Sequence, residues 1–184
     1  MHPIAMPEIE HRRHSWRSPT GKHLTQQGVD LARRVGETMG RFDLVITSDL
    51  PRAYETAIAM GYAVNRKEKL LGQLDTGEAL DWTLGCIEFA RAGRDGKATA
   101  KACRKHAELL GDIAASLPPD GRALVVSHGG VIEAGVVGLL PDYDYGAFGP
   151  ACERCEGILM RFDGGVCTGA EVLRLPADWQ AASA

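Results

Sequence analysis

The sequence predicts one α/β domain, a three-layer α/β/α sandwich with a mostly parallel sheet flanked by helices, and three observations predict it. Short apolar runs at 42–47 and 122–127 each give way to a helical pattern, the rhythm of βαβ units. Each run stops at polar residues, Ser48-Asp49-Leu50-Pro51 and His128-Gly129-Gly130, which open a helix. A chain of 184 residues can also bury one sizeable core, whereas two halves would each be poorly covered.

In chain order, the first strand is expected over residues 4–13. Glu8, Glu10, His11 and Arg12 make it more polar than a buried parallel strand normally is, so either the acids pair with nearby arginines or one of them contacts a site. Residues 18–22, Ser-Pro-Thr-Gly-Lys, form a loop by their turn chemistry. Thr25 is placed to cap a helix in which Leu31, Ala32, Val35 and Met39 recur at helical spacing until Gly40. A second strand at 42–47 leads into a helix at 52–60 that Gly61 closes. A third short strand is expected at 69–74, and 75–119 is read as an insertion or cap over one edge of the sheet, holding a long helix at 98–117. Pro118-Pro119-Asp120-Gly121 ends that helix, and 122–127 is the clearest buried strand. A helix at 131–140 follows, then two strands at 157–162 and 170–175 around a Gly164-Gly165 turn.

Composition narrows the class. With 45% hydrophobic and 24% charged residues the chain is ordinary for a globular protein, and a net charge of -3 argues against a nucleic-acid partner while leaving room for a local basic pocket. Residues 1–10 carry two prolines and two acids instead of a basic region and an apolar run, and no stretch is long enough to cross a bilayer, so no membrane partner and a cytoplasmic location are expected. Five scattered cysteines suit reduced thiols, and Cys152 and Cys155 lack a second ligand pair for zinc. A homodimer is left open.

Chemistry converges at strand ends. Ligands of open α/β sheets sit beyond the carboxyl ends of the strands, where the first strand delivers Arg13 and His14, the second leads to Ser48 and Arg52, and the fourth delivers His128. Neutral imidazole is a nucleophile near neutral pH, and guanidinium forks fit phosphate oxygens. Two histidines and two arginines thus make an anion site containing a nucleophile. Arg17 is weighed as a further phosphate contact against a surface cation, and Lys22 and His23 are read as solvent-exposed. His106 is placed on a solvated helix face, and Trp16 and Trp82 flank the site in sequence.

Arg13-His14-Ser15, Leu24-Thr25-Gln26-Gln27-Gly28, the segment Ser48-Asp49-Leu50-Pro51-Arg52-Ala53-Tyr54-Glu55-Thr56-Ala57 and Ser127-His128-Gly129-Gly130 together resemble the histidine phosphatase superfamily, the phosphoglycerate mutase-like fold. The resemblance implies a phosphomonoesterase that forms a phosphohistidine on His14 and needs neither metal nor other cofactor. Arg13, Arg52 and His128 would hold the phosphoryl oxygens, with Ser15, Arg17 and Gly129 as added phosphate contacts, and the substrate would be a phosphorylated small molecule or phosphoprotein. Two positions depart from the family pattern: Ser15 stands where glycine is usual, and Gln73 stands where a glutamate usually serves as general acid. Glu78 is the expected replacement, with Asp75 behind it, on the argument that a shielded carboxyl has a raised pKa. A phosphoglycerate-type mutase and a catalytically silent phosphate-binding protein remain as alternatives.

Overall fold

The computed structural model describes residues 6–181. Six strands form one sheet in the order β3-β2-β4-β1-β5-β6. Four of them, β3 (Arg66–Lys67), β2 (Leu44–Thr47), β4 (Arg122–Ser127) and β1 (Glu8–Arg13), run parallel; β5 (Gly157–Asp163) and β6 (Val166–Leu173) are antiparallel. The expected mostly parallel sandwich is therefore present, completed by an antiparallel edge ribbon.

Helices cover both faces. Leu31, Ala32 and Val35 of α1 (Gln26–Gly36) and Ala53 and Ala57 of α2 (Pro51–Ala59) pack on Val45, Leu124 and Val126. On the opposite face, Phe89 of α3 (Cys86–Asp95), Leu110 and Ile113 of α4 (Lys97–Ala115) and Val131 and Ile132 of α5 (Val131–Leu139) meet Ile9, Ile46, Val125 and Ile158. The alternation along each strand sends one set of residues to each layer. A short α6 (Ala177–Ala181) lays Trp179 against the α1–α2 side.

β1 reconciles its polarity with its central place by pairing its charges. Glu10 lies 2.5 Å from Arg12 and 3.2 Å from Arg122, and Glu8 reaches Arg122 and Arg161 at 3.5 and 3.3 Å. Of the two readings of these acids, pairing with arginines is the one observed. The strand starts at Glu8; Ile4 and Ala5 of the expected span lie outside the described residues.

Several elements differ from expectation: the last strand begins at Val166 instead of 170, and α3 forms where no helix is expected. Residues 69–72 form a single tight turn of 3-10 helix, and the third strand is the two-residue Arg66–Lys67 just before it, because the edge of the sheet needs only two residues to pair with Ile46 and Thr47. Residues 75–119 do not ride over an edge as one insertion either. α4 is amphipathic enough to bury His106, Leu110 and Ile113 beneath α5, which makes it part of the helical layer together with α3, and only 73–85 remains as a peripheral excursion.

Candidate active site

Strand register builds the site. Arg13 pairs with Ser127 across β1 and β4, and Thr47 pairs with Val126 across β2 and β4. The next residues, His14, His128 and Ser48, therefore emerge side by side at one edge. The first of them is locked there by its amide, which donates to the Ser127 carbonyl at 2.9 Å. The two imidazole centroids are 5.1 Å apart. Chains leave this edge in opposite directions, β1 toward α1 on one face and β4 into α5 on the other, which opens a crevice between them.

His14 is oriented from both sides. Its Nδ1 lies 2.7 Å from the Ser15 carbonyl, which can only accept, so the ring carries its proton on Nδ1 and leaves Nε2 with a free lone pair. Arg52 Nε donates to that Nε2 at 3.2 Å. Burial, only partly offset by the Ser15 carbonyl, lowers the pKa of His14 to about 2, and the nearby His128, Arg154 and Arg52 push the same way. The ring is thus neutral, with a lone pair on Nε2 that could serve as a nucleophile. His128 is held neutral as well, lowered to about 3 by burial and by Arg52 and Arg13. Its Nε2 sits 2.8 Å from Ser48 Oγ, while its Nδ1 is buried without a partner.

Cations surround the pair. Arg13 donates to the Cys152 carbonyl at 2.7 Å, and its guanidinium lies so close to Gly129 that a Cβ there would stand 3.2 Å from Cζ. Arg17 uses one nitrogen to gather the Ser18, Pro19 and Gly21 carbonyls, organising the loop at the mouth, while its charge still bears on Arg52 and His128. A fourth guanidinium, Arg154, acts on both His14 and His128. The sequence reading missed it. The signal was available in topology alone: an antiparallel neighbour of β1 must begin where β1 ends, and Gly157 pairs with Arg12, so residues just before β5 belong to this edge.

Four expectations are corrected. Ser15 is 0% exposed, its hydroxyl lies by the Cys155 thiol, and its amide donates to Thr56 Oγ1 at 2.9 Å, so it offers nothing to a phosphate in the crevice. Glu78 accepts from the Ala98 and Thr99 amides at 3.3 and 3.1 Å and from the Thr99 hydroxyl. It thereby caps the N-terminus of α4, and these hydrogen bonds lower its pKa, the reverse of what a general acid needs. Asp75 lines a separate cleft with Lys101, Lys105 and His106. His106 is buried, not solvated, and donates to the Gln73 carbonyl at 3.0 Å.

The surroundings explain the motif glycines. A Cβ on Gly28 would stand 2.1 Å from the Trp16 carbonyl, so only glycine lets α1 close against the turn after His14. Gly130 adopts φ +85° beneath Trp82 and Leu74, and its amide donates to Glu133 at 2.6 Å. Glu133 also accepts from the Cys152 amide at 3.1 Å, which ties the loop after β4 to the loop before β5. Lys22 and His23 are exposed, the latter paired with Glu55, and Cys152 and Cys155 are buried free thiols. Among the described residues no helix is long and apolar enough to cross a membrane.

The histidine phosphatase superfamily (branch 1) model matches residues 8–168. No curated protein sequence matches the chain. Among solved structures, phosphoserine phosphatase from Entamoeba histolytica, in complex with 3-phosphoglyceric acid, is 21% identical over 92% of this chain and 98% of its own, with a TM-score of 0.69. Mycobacterial glucosyl-3-phosphoglycerate phosphatase, complexed with VO3, is 22% identical over 92% and 99%, with a TM-score of 0.65. A putative alpha-ribazole-5'-P phosphatase from Escherichia coli is 16% identical over 93% and 97%, at 0.63. These structures share the fold.

Proposed function

From the chain's membership of the histidine phosphatase superfamily, shown by the match over residues 8–168, we propose that it is a metal-independent phosphomonoesterase using a phosphohistidine on His14. The observation that carries the reading is the tautomer: Nδ1 is committed to the Ser15 carbonyl, and Nε2 keeps its lone pair, met only by the Arg52 Nε–H at 3.2 Å, in a cationic crevice. In the first half-reaction Nε2 attacks phosphorus and the ester P–O bond breaks. The leaving oxygen takes the bond's electron pair and gains a proton from water. Water then attacks the phosphorus, the P–N bond breaks, and His14 and inorganic phosphate are released. Arg13 and Arg52 match the charge on the phosphoryl oxygens throughout, since this chemistry asks mainly for positioning and charge stabilisation. His128, flush with His14 in the sheet, donates to the phosphoryl group once that group is bound.

The substrate is a phosphorylated small molecule, in keeping with phosphatase relatives named for phosphoserine and glucosyl-3-phosphoglycerate, and the site of action is cytoplasmic. Release of phosphate from p-nitrophenyl phosphate tests the reaction. Wild type turns over, His14→Ala loses at least about 10³-fold, and acid-labile label from a phosphorylated substrate accumulates on His14. Equal activity in His14→Ala, or label elsewhere, rejects the mechanism. A silent phosphate-binding protein would bind phosphate and release none.

A further inference from the structure

We propose that Arg154, together with Arg17, binds a second anionic group of the substrate, so that the preferred substrate is a phosphate monoester carrying a carboxylate or a further phosphate. The proposal rests on the phosphatase reading and deepens it. Arg154 is held where it stands. The Cys155 amide donates to the Arg13 carbonyl at 3.1 Å, Arg13 returns a bond to the Cys152 carbonyl at 2.7 Å, and Gln180 donates to the Arg154 carbonyl at 2.9 Å. The guanidinium carbon lies 5.3 Å from the Trp16 ring centroid, on a residue two beyond the nucleophile, and its Nε is buried with no partner.

The charge balance points to the ligand. Arg12, Arg91, Arg122, Arg161 and Arg174 all pair with glutamates. Among the described residues, the arginines that form no ion pair with a carboxylate are the exposed Arg41, Arg66, Arg94 and Arg104 and the partly buried Arg13, Arg17, Arg52 and Arg154, so the unpaired charge withdrawn from water is gathered at the site. Both histidines between them are neutral, so four positive charges face one crevice. A phosphate monoester brings at most about two negative charges, and Arg13 and Arg52 already match those. Two guanidiniums remain, crowded together at a cost that a second anion would remove. Burial first, and then the field of Arg13, hold Arg154 down to about 10; Arg17 and Arg52 push the same way, and the neighbouring Glu153 opposes them.

Phenyl phosphate, 3-carboxyphenyl phosphate and benzene-1,3-bisphosphate share a leaving-group type and differ in the second anion. Wild type is expected to favour one or both charged members by about 10- to 100-fold in kcat/KM, chiefly through KM, and the two arms separate carboxylate from phosphate. Arg154→Met should collapse the ratio toward one, and Arg154→Lys should restore part of it. No preference in wild type, or an equal loss on all three substrates in Arg154→Met, overturns the proposal. The second of these results would place Arg154 on the transferred phosphoryl group. Calorimetry on His14→Ala needs no turnover: pyrophosphate should bind about 10- to 100-fold more tightly than orthophosphate, and Arg154→Met should erase the difference. Equal binding of both anions to His14→Ala sinks the proposal even where the phosphatase reading survives, and the expected difference in a protein that hydrolyses nothing sinks only the latter.

Discussion

At the scale of single residues, Gln73 carries a consequence for specificity. By the resemblance of Leu71-Gly72-Gln73 to the family's acid-bearing segment it would stand where a proton donor is usual, it has no proton to give, and Glu78 is engaged at the start of α4. Leaving groups must therefore depart with little help. A general acid typically contributes 10²–10⁴-fold, so kcat/KM should fall by about that factor from p-nitrophenyl phosphate to an alkyl phosphate. A series of aryl phosphates spanning leaving-group pKa measures it, and a flat dependence would reveal an acid in the crevice after all. That Arg13, His14, Arg52 and His128 come together was legible in the sequence because each stands at the end of a strand or in the first turn of the helix after one. Arg154 was not, since Cys152-Glu153-Arg154-Cys155 follows no apolar run and comes to the edge only through antiparallel pairing. Ser15 misled for a different reason: a hydroxyl beside the nucleophile suggests a phosphate contact, but side-chain direction is not written in the local sequence.

At the scale of elements, Glu133 joins two loops that each hold a site residue. One carboxylate accepts from Gly130 and Cys152 at 2.6 and 3.1 Å, the first in the turn after His128 and the second two residues before Arg154. Glu133→Ala leaves both amides buried and unsatisfied, which costs about 2–4 kcal/mol. Urea denaturation should show a loss of that size, with kcat/KM reduced because His128 and Arg13 lose their support. An unchanged midpoint would mean that water replaces the carboxylate. Helices were read well from their caps: Thr25 accepts from the Gly28 amide at 3.1 Å, as its place before the apolar pattern implied, and α2 opens on Pro51. The third strand was misplaced because a two-residue edge strand has no periodicity to detect. α4 was assigned to a cap since its burial depends on α5, a partner that follows later in the chain.

At the scale of the whole molecule, neutral buried histidines set the response to acid. Burial lowers His11 and His128 to about 3 and His14 to about 2, against 6.5 when unfolded. The folded state therefore binds fewer protons than the unfolded state across that window. Stability is full above pH 6.5 and declines as pH falls toward 3, by about 1.4 kcal/mol per pH unit for each ring. Unfolding free energies at pH 7, 6 and 5 should drop with a slope approaching 4 kcal/mol per unit for the three together, an upper bound, and a level profile would contradict their burial as neutral rings. The sandwich itself was readable from the βαβ rhythm, but the sheet order was not, because strand pairing is settled by packing between distant segments. That pairing has a temporal meaning. Since β1 finds β4 only after more than a hundred intervening residues have been made, a growing or refolding chain cannot assemble the paired imidazoles from its first half. The proposed capacity to act on phosphate is therefore born late, with the closing of one of the two longest loops in the sheet.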